Sequence, residues 1–113
     1  MWTILHTEAS LGWGGQEIRI LNESLGMKGR GHRVIIAAQD DSLLLKRARK
    51  AGLETVTLSF RKKDYPRTVL GISRLLKGLD PDFIVTHSSR DSWLFSFTAW
   101  IARHKAFVIR TRH

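Results

Sequence analysis

The sequence predicts an α/β fold: a Rossmann-like parallel sheet of about five strands, in the order 3-2-1-4-5, with helices on both faces. Three observations predict it. Short β-rich runs alternate with helical patterns along all 113 residues. The run Arg33–Ala38 (RVIIAA) is almost continuously apolar, as a parallel strand buried on both faces requires. No linker, repeat or low-complexity tract divides the chain, so each strand-to-strand step is a helical, right-handed crossover.

Taken in order, Trp2–His6 reads as the first strand. Gln16–Lys28 is the first helix, with Ile18, Leu21 and Leu25 on one face. Gly29 and Gly31 supply the positive φ that stops it, and His32 belongs to that turn. After Arg33–Ala38, the segment Ser42–Ala51 is the second helix, capped by Asp41 or Ser42. Glu54–Phe60 is the third strand. Pro66 sits near the start of a third helix that runs through Leu70, Leu75 and Leu76 to a stop around Gly78. Asp82–Thr86 is the fourth strand, Asp91–Arg103 the fourth helix and Ala106–Arg110 the fifth strand. The chain ends just after that strand with no closing helix, which reads as a truncated domain.

Composition narrows the function classes. At 42% apolar residues the chain has enough for one core. It has no cysteine, which excludes disulfides, thiolate metal sites and cysteine nucleophiles and suits a reducing cytoplasm. Met1 runs directly into Trp2–Leu5 without the charged region and long apolar core of a signal peptide. The greasiest stretch, Ser92–Ala102, is shorter than the roughly 20 residues needed to span a bilayer. The net charge is +9, and Lys46–Lys77 alone holds ten Lys/Arg against Glu54 and Asp64. That segment is either a plain solvated face or an attractor of phosphates on a ligand, a nucleic acid or an anionic membrane. The expected location is cytoplasmic, peripheral on the inner face of the cell membrane. With lipid as the target, Phe95, Phe97 and Trp100 would add apolar contact, although burial against the sheet accounts for most of their helix.

Ligands of open parallel sheets bind beyond the carboxyl ends of the strands, where the strand order reverses. Here that crevice lies between strands one and four. The loops Thr7–Gly15, His87–Arg90 and Thr111–His113 reach it. The same rule sorts the histidines: His6, His87 and His113 fall on the ligand side, His32 and His104 on the opposite edge. Gly14 and Gly15 open a helix directly after a strand, where glycines permit close approach and helix N–H groups favour an anion such as a diphosphate. An ordinary glycine-rich turn is the plainer reading. The spacing is neither the dinucleotide fingerprint, since Glu17 stands where its third glycine belongs, nor a P-loop. His87, Ser88, Ser89 and Arg90, joined by Arg110, Arg112 and His113, supply donors for a hydroxylated or phosphorylated ligand. One of Ser88, Ser89 and Asp91 is expected to cap the fourth helix. Asp40 and Asp41 fit helix capping better than metal binding or ribose recognition, and the scattered histidines lack metal-ligand spacing.

Gly14-Gly15-Gln16-Glu17, Gly29-Arg30-Gly31-His32-Arg33-Val34, Asp80-Pro81-Asp82-Phe83-Ile84-Val85, His87-Ser88-Ser89 and Arg110-Thr111-Arg112-His113 occur in this order. Together they make residues 1–113 resemble the amino-terminal, acceptor-side domain of glycosyltransferase family 4, of the GT-B fold. The resemblance implies a retaining enzyme that transfers a sugar from a nucleotide sugar to a glycan, lipid or phosphorylated acceptor in cell-envelope polysaccharide or lipopolysaccharide synthesis. It implies no metal or other cofactor and no nucleic acid partner. It places Gly14 and Gly15 at the donor diphosphate and His113 at the sugar, without a general-base role. The nucleotide site and the acidic pair would lie in a carboxyl-terminal domain beyond this sequence, so the fragment alone is expected to be inactive. Two rival readings remain: a nucleotide-dependent oxidoreductase, weakened by the missing glycine, and a basic nucleic-acid-binding module, weakened by the absence of any such motif.

Overall fold

The computed structural model describes residues 1–8, 15–59, 61–87, 89–101 and 104–110; for residues 16, 62, 89–91 and 110 it describes the backbone alone. The elements are β1 (Thr3–Glu8), α1 (Gly15–Gly29), β2 (Arg33–Ala38), α2 (Leu43–Lys50) and β3 (Glu54–Thr57). A 3-10 turn (Lys62–Asp64), α3 (Tyr65–Leu79), β4 (Phe83–Thr86), α4 (Ser89–Ile101) and β5 (Phe107–Arg110) follow. They form one sheet of order β3-β2-β1-β4-β5 in which every neighbouring pair is parallel. The predicted fold class and strand order are therefore those observed.

Two cores flank the sheet. On one face Ile20 of α1 and Leu44, Leu45 and Ala48 of α2 pack on Ile36 and Ala38. On the other, Ile72 and Leu76 of α3 and Leu94, Phe95 and Ala99 of α4 pack on Leu5, Ile35, Ala37 and Ile84. Period-two alternation explains this division: Ile36 and Ala38 point one way, Ile35 and Ala37 the other. Both sets must be apolar, which is why β2 reads as an unbroken run.

Several expected boundaries shift, for reasons visible in the ladders. β1 continues past His6 to Glu8 because β2 offers partners up to Ala38, the last pair being Glu8 with Ala38. β3 stops at Thr57 because β2 ends there, and Leu58 N donates the last bond to Ala38 O. Phe60, the expected strand end, lies outside the described residues. α4 starts at Ser89, two positions before the expected Asp91, and ends at Ile101; the expected end, Arg103, lies outside the described residues.

The buried face of α1 also differs from expectation. Ile18 and Leu25 are 42% and 38% exposed, whereas Glu17, Ile20 and Ser24 face the sheet. Packing of Ile20 sets the rotation, and positions three before and four after it follow to the same side. An apolar count cannot find a face whose flanking members are Glu and Ser.

The turns at the amino edge of the sheet are tied by polar side chains. Gly31 turns at φ 90°, while Gly29 remains helical. His32 Nδ1 then accepts the N–H of Trp2 at 3.0 Å. α3 ends at Leu79, beside the expected stop around Gly78, and Asp80 after it takes a left-handed conformation (φ 46°) and donates its N–H to Leu76 O. His104 Nδ1 accepts from Ala106 N, so its Nε2 carries the hydrogen and donates to Asp80 Oδ1 at 3.0 Å. Asp82 Oδ2 accepts from Thr3 N at 2.8 Å. His32 and His104 thus have structural work, as their place on this edge implied.

At the start of α2 the cap is Ser42, not Asp40 or Asp41. Its buried Oγ accepts from Leu45 N at 3.1 Å, whereas both aspartates are exposed. Ser42→Ala should lower stability by about 1 kcal/mol, the usual effect of losing such a cap. A urea titration checks this: the midpoint should fall while the slope stays unchanged.

Candidate functional site

Strand order reverses between β1 and β4, so the carboxyl ends of these two strands frame the crevice expected for a ligand. β1 delivers His6, Thr7 and Glu8 to it, and β4 delivers Thr86 and His87. All five are buried, at 4% exposure or less. A polar cluster of this density in the middle of a parallel sheet departs from the apolar pattern of β2.

The best-defined contact in the cluster joins two histidines. His6 Nδ1 lies 3.0 Å from His87 Nε2. The ring planes lie 17° apart with centroids 5.3 Å apart, so the rings meet nearly coplanar and edge to edge. Strand register brings them together: His6 is opposite Val85, and alternation points Val85 and His87 to the same face as His6, the α1 side. Burial pushes the His6 pKa down from 6.5 to about 4, since the charged ring would be stripped of water. His6 is therefore neutral at physiological pH. Its second nitrogen, Nε2, is buried with no hydrogen-bond partner among the described residues.

Above this pair stands the first turn of α1. Gly15 opens the helix and is exposed. A Cβ built on it would meet nothing within 4 Å. Glu17, 6% exposed, sits in the same turn and faces the sheet.

Of the other site residues expected from sequence, Ser89 and Arg90 begin α4 and Arg110 ends β5, which puts their backbones at the carboxyl edge. Gly14, Ser88, Arg112 and His113 lie outside the described residues. The structure thus brings His87 and the α1 start to the crevice and adds His6 as a member of the cluster. Strand position alone puts His6 on the ligand side but does not join it to His87. The β1–β4 register was the missing signal, and it exists only once the strands are paired.

A second polar cleft, of about 330 Å³, opens at the carboxyl ends of β2 and β3 between Asp40, Asp41, Ser59, Arg61 and Asp64. Ser59 Oγ donates to Asp64 Oδ2 at 2.7 Å, and Arg61 approaches Asp41 at 3.9 Å. Asp41 and Arg61 are more than half exposed, so this pair adds little to stability.

A family model described as Glycosyltransferase Family 4 matches residues 13–113. The chain belongs to that family. Membership of family 4 sets aside the oxidoreductase and nucleic-acid readings. Among solved structures, the family 4 chain is similar to MurG from Acinetobacter baumannii, at 11% identity and TM-score 0.79, covering 97% of this chain and 34% of that one. It is similar to a glycosyltransferase from Rickettsia africae at 25% identity and TM-score 0.79, covering 99% and 30%. It also resembles HepE from Anabaena in complex with UDP-glucose, at 13% identity and TM-score 0.76, covering 97% and 29%. The chain spans about a third of the length of these structures. No curated protein matches it by sequence.

The buried His6 makes stability depend on pH with a definite sign. Unfolded, it takes up a proton near 6.5; folded, only near about 4. Between these values the unfolded chain binds more protons, so its contribution to stability is whole above 6.5 and is lost as the pH falls toward 4. Denaturant titrations at pH 7.5, 5.5 and 4.5 should show this loss in the wild type and a flatter dependence in His6→Phe. Identical profiles for the two proteins would mean that burial does not hold His6 neutral.

Proposed function

We propose that residues 1–113 are the acceptor-side domain of a nucleotide-sugar-dependent, retaining glycosyltransferase, with a glycan or lipid-linked acceptor in cell-envelope polysaccharide or lipopolysaccharide synthesis. The family 4 match over residues 13–113 carries this reading. Its likeness to a fold solved with UDP-glucose supports a nucleotide sugar as donor.

The mechanism follows from charge. Breaking the sugar–phosphate bond develops negative charge on the leaving diphosphate and positive charge on the sugar. N–H groups at Gly14 and Gly15, at the positive end of α1, stabilise the diphosphate without a metal or other cofactor. The leaving phosphate accepts the proton of the attacking hydroxyl, so neither His87 nor His113 acts as general base. His113 lines the sugar site. His87, Ser88, Ser89, Arg90, Arg110 and Arg112 hold hydroxyl or phosphate oxygens of the acceptor. The nucleotide and the acidic groups belong to a partner domain, and the 113-residue chain alone has no turnover.

The test follows acceptor-dependent release of nucleoside diphosphate from a panel of nucleotide sugars. The protein with its partner domain should release it, and the 113-residue chain should not. Gly15→Val should lower the rate by about 10²-fold, on the scale of losing one oxyanion-type donor. Because a Cβ at Gly15 meets nothing within 4 Å, a folded variant with such a loss points to blocked ligand approach. Turnover by the short chain, or full activity in Gly15→Val, would overturn the assignment.

The reading extends to a peripheral position on the inner face of an anionic membrane. Lys46–Lys77 does not form one patch, since α2 and α3 lie on opposite faces of the sheet. The surface suited to lipid is that of α3 and α4, with exposed Arg67 and Arg74 on α3, exposed Arg61 and Lys63 just before it, and exposed Trp93, Phe97 and Trp100 on α4. Tyr65, Trp93 and Phe97 form a continuous row, with Trp93 and Phe97 stacked at 5.4 Å. Phe95 takes no part, being fully buried in the core. No described helix is long and apolar enough to cross a membrane. Each cation near an anionic surface contributes on the order of 1 kcal/mol. Sedimentation with anionic liposomes should remove the protein from solution at low salt and less at high salt; equal recovery with neutral and anionic lipid would refute the surface.

A further inference from the structure

The transfer step makes no use of the cleft at the carboxyl ends of β2 and β3. Asp40 and Asp41 follow β2, Ser59 and Arg61 follow β3, and Asp64 stands just before α3. A further cavity, of about 400 Å³, adjoins it, sharing Ser59 and Asp64 and reaching Arg67 and Thr68 of α3. The rim is fixed from within. Ser59 Oγ donates to Asp64 Oδ2, and buried Thr68 Oγ1 lies within hydrogen-bond reach of the carbonyl oxygens of both. Its charged groups, by contrast, are unspent. Among the described residues the carboxylate of Asp40 and the guanidinium of Arg61 make no hydrogen bond, and Arg61 stays 3.9 Å from Asp41, too far for one.

Opposite charges that line one cavity and keep their hydrogen-bonding capacity narrow the chemistry of a guest. Three carboxylates against one guanidinium disfavour a phosphate. No group of three His, Cys, Asp or Glu among the described residues could hold a metal ion. Adjacent hydroxyls fit both signs, since each can donate to a carboxylate and accept from a guanidinium. Leu58 adds an apolar wall for the C–H groups of a sugar ring. Glu8, Ala38 and Thr57 are the last paired residues of β1, β2 and β3, so this cleft and the β1–β4 crevice open on the same sheet edge. Two strand spacings separate them, roughly 10 Å, a span that a short oligosaccharide bridges. We propose that the cleft is a second acceptor subsite, which holds an uncharged sugar residue by its adjacent hydroxyls at a distance from the hydroxyl that reacts. Its role toward an acceptor rests on the transferase reading; its affinity for hydroxyls does not.

Backbone ¹H–¹⁵N correlation spectra of the labelled 113-residue chain test this with the methyl glycosides of glucose, galactose, mannose and N-acetylglucosamine. At least one glycoside should shift the amides of Asp40, Asp41, Arg61 and Asp64, saturating in the millimolar range. Inorganic phosphate should leave these amides in place. No saturable shift there with any glycoside overturns the proposal, as does phosphate binding there more tightly than every glycoside. Asp41→Asn and Arg61→Gln should each weaken binding about tenfold, on the scale of one charged hydrogen bond. Both residues are more than half exposed and their pair adds little to stability, so the urea midpoint should not move. Unchanged affinity in both variants would mean that the sugar sits elsewhere, and overturns the proposal equally. Nucleoside diphosphate release by the protein with its partner domain separates the subsite from the transferase reading. Glycoside binding in the cleft without release from any donor would support the sugar site while counting against the transferase. Release without glycoside binding there would overturn the subsite and leave the transferase standing.

Discussion

Everything at the candidate site follows from the position of β1. It is paired on both edges and covered on both faces, so Ile4 through Glu8 are buried without a break. Its amino half meets that constraint with Ile4 and Leu5; its carboxyl half does so with His6, Thr7 and Glu8. A polar group sealed there without a partner costs about 1–3 kcal/mol, so these side chains are held in defined contacts rather than left to solvent. Its two partners, β2 and β4, make β1 the strand at which the sheet order reverses. Dense polar burial and the order reversal therefore meet on the same strand.

The motifs that point to the family divide along the sheet. Gly31 and His32, and likewise Asp80 and Asp82, lie at the amino edge, where they turn the chain and bind its backbone: Asp82 to Thr3 and His32 to Trp2. His104, outside those motifs, joins Asp80 and Ala106 there. Gly15 and His87 lie at the carboxyl edge, where ligands bind. A segment such as Gly-Arg-Gly-His marks the fold by turning the chain and tying it back to β1.

Charge is distributed by the same architecture. Right-handed crossovers send α1 and α2 to one face and α3 and α4 to the other, so a basic segment continuous in sequence is divided by the sheet. Arg49 spends its guanidinium on Thr55 and Thr57 of β3, binding α2 to its own strand. On the other face Tyr65 of α3 meets the exposed Trp93 of α4, a neighbour distant in sequence.

Strand order, the parallel pairing and the structural place of His32 and His104 were legible in the residues. Alternating runs and carboxyl-edge logic are local patterns, and each residue carries its part of the signal. The buried face of α1 was not legible, because Glu17 and Ser24 occupy sheet-facing positions that hydropathy assigns to solvent. The end of β3 escaped too, since Thr57 stops the strand only because β2 has no further residue to pair. The His6–His87 contact depends on a register between strands 81 residues apart. Local periodicity tells which way a side chain points; which partner it meets there is set by pairing and packing between elements that no single stretch of sequence encodes.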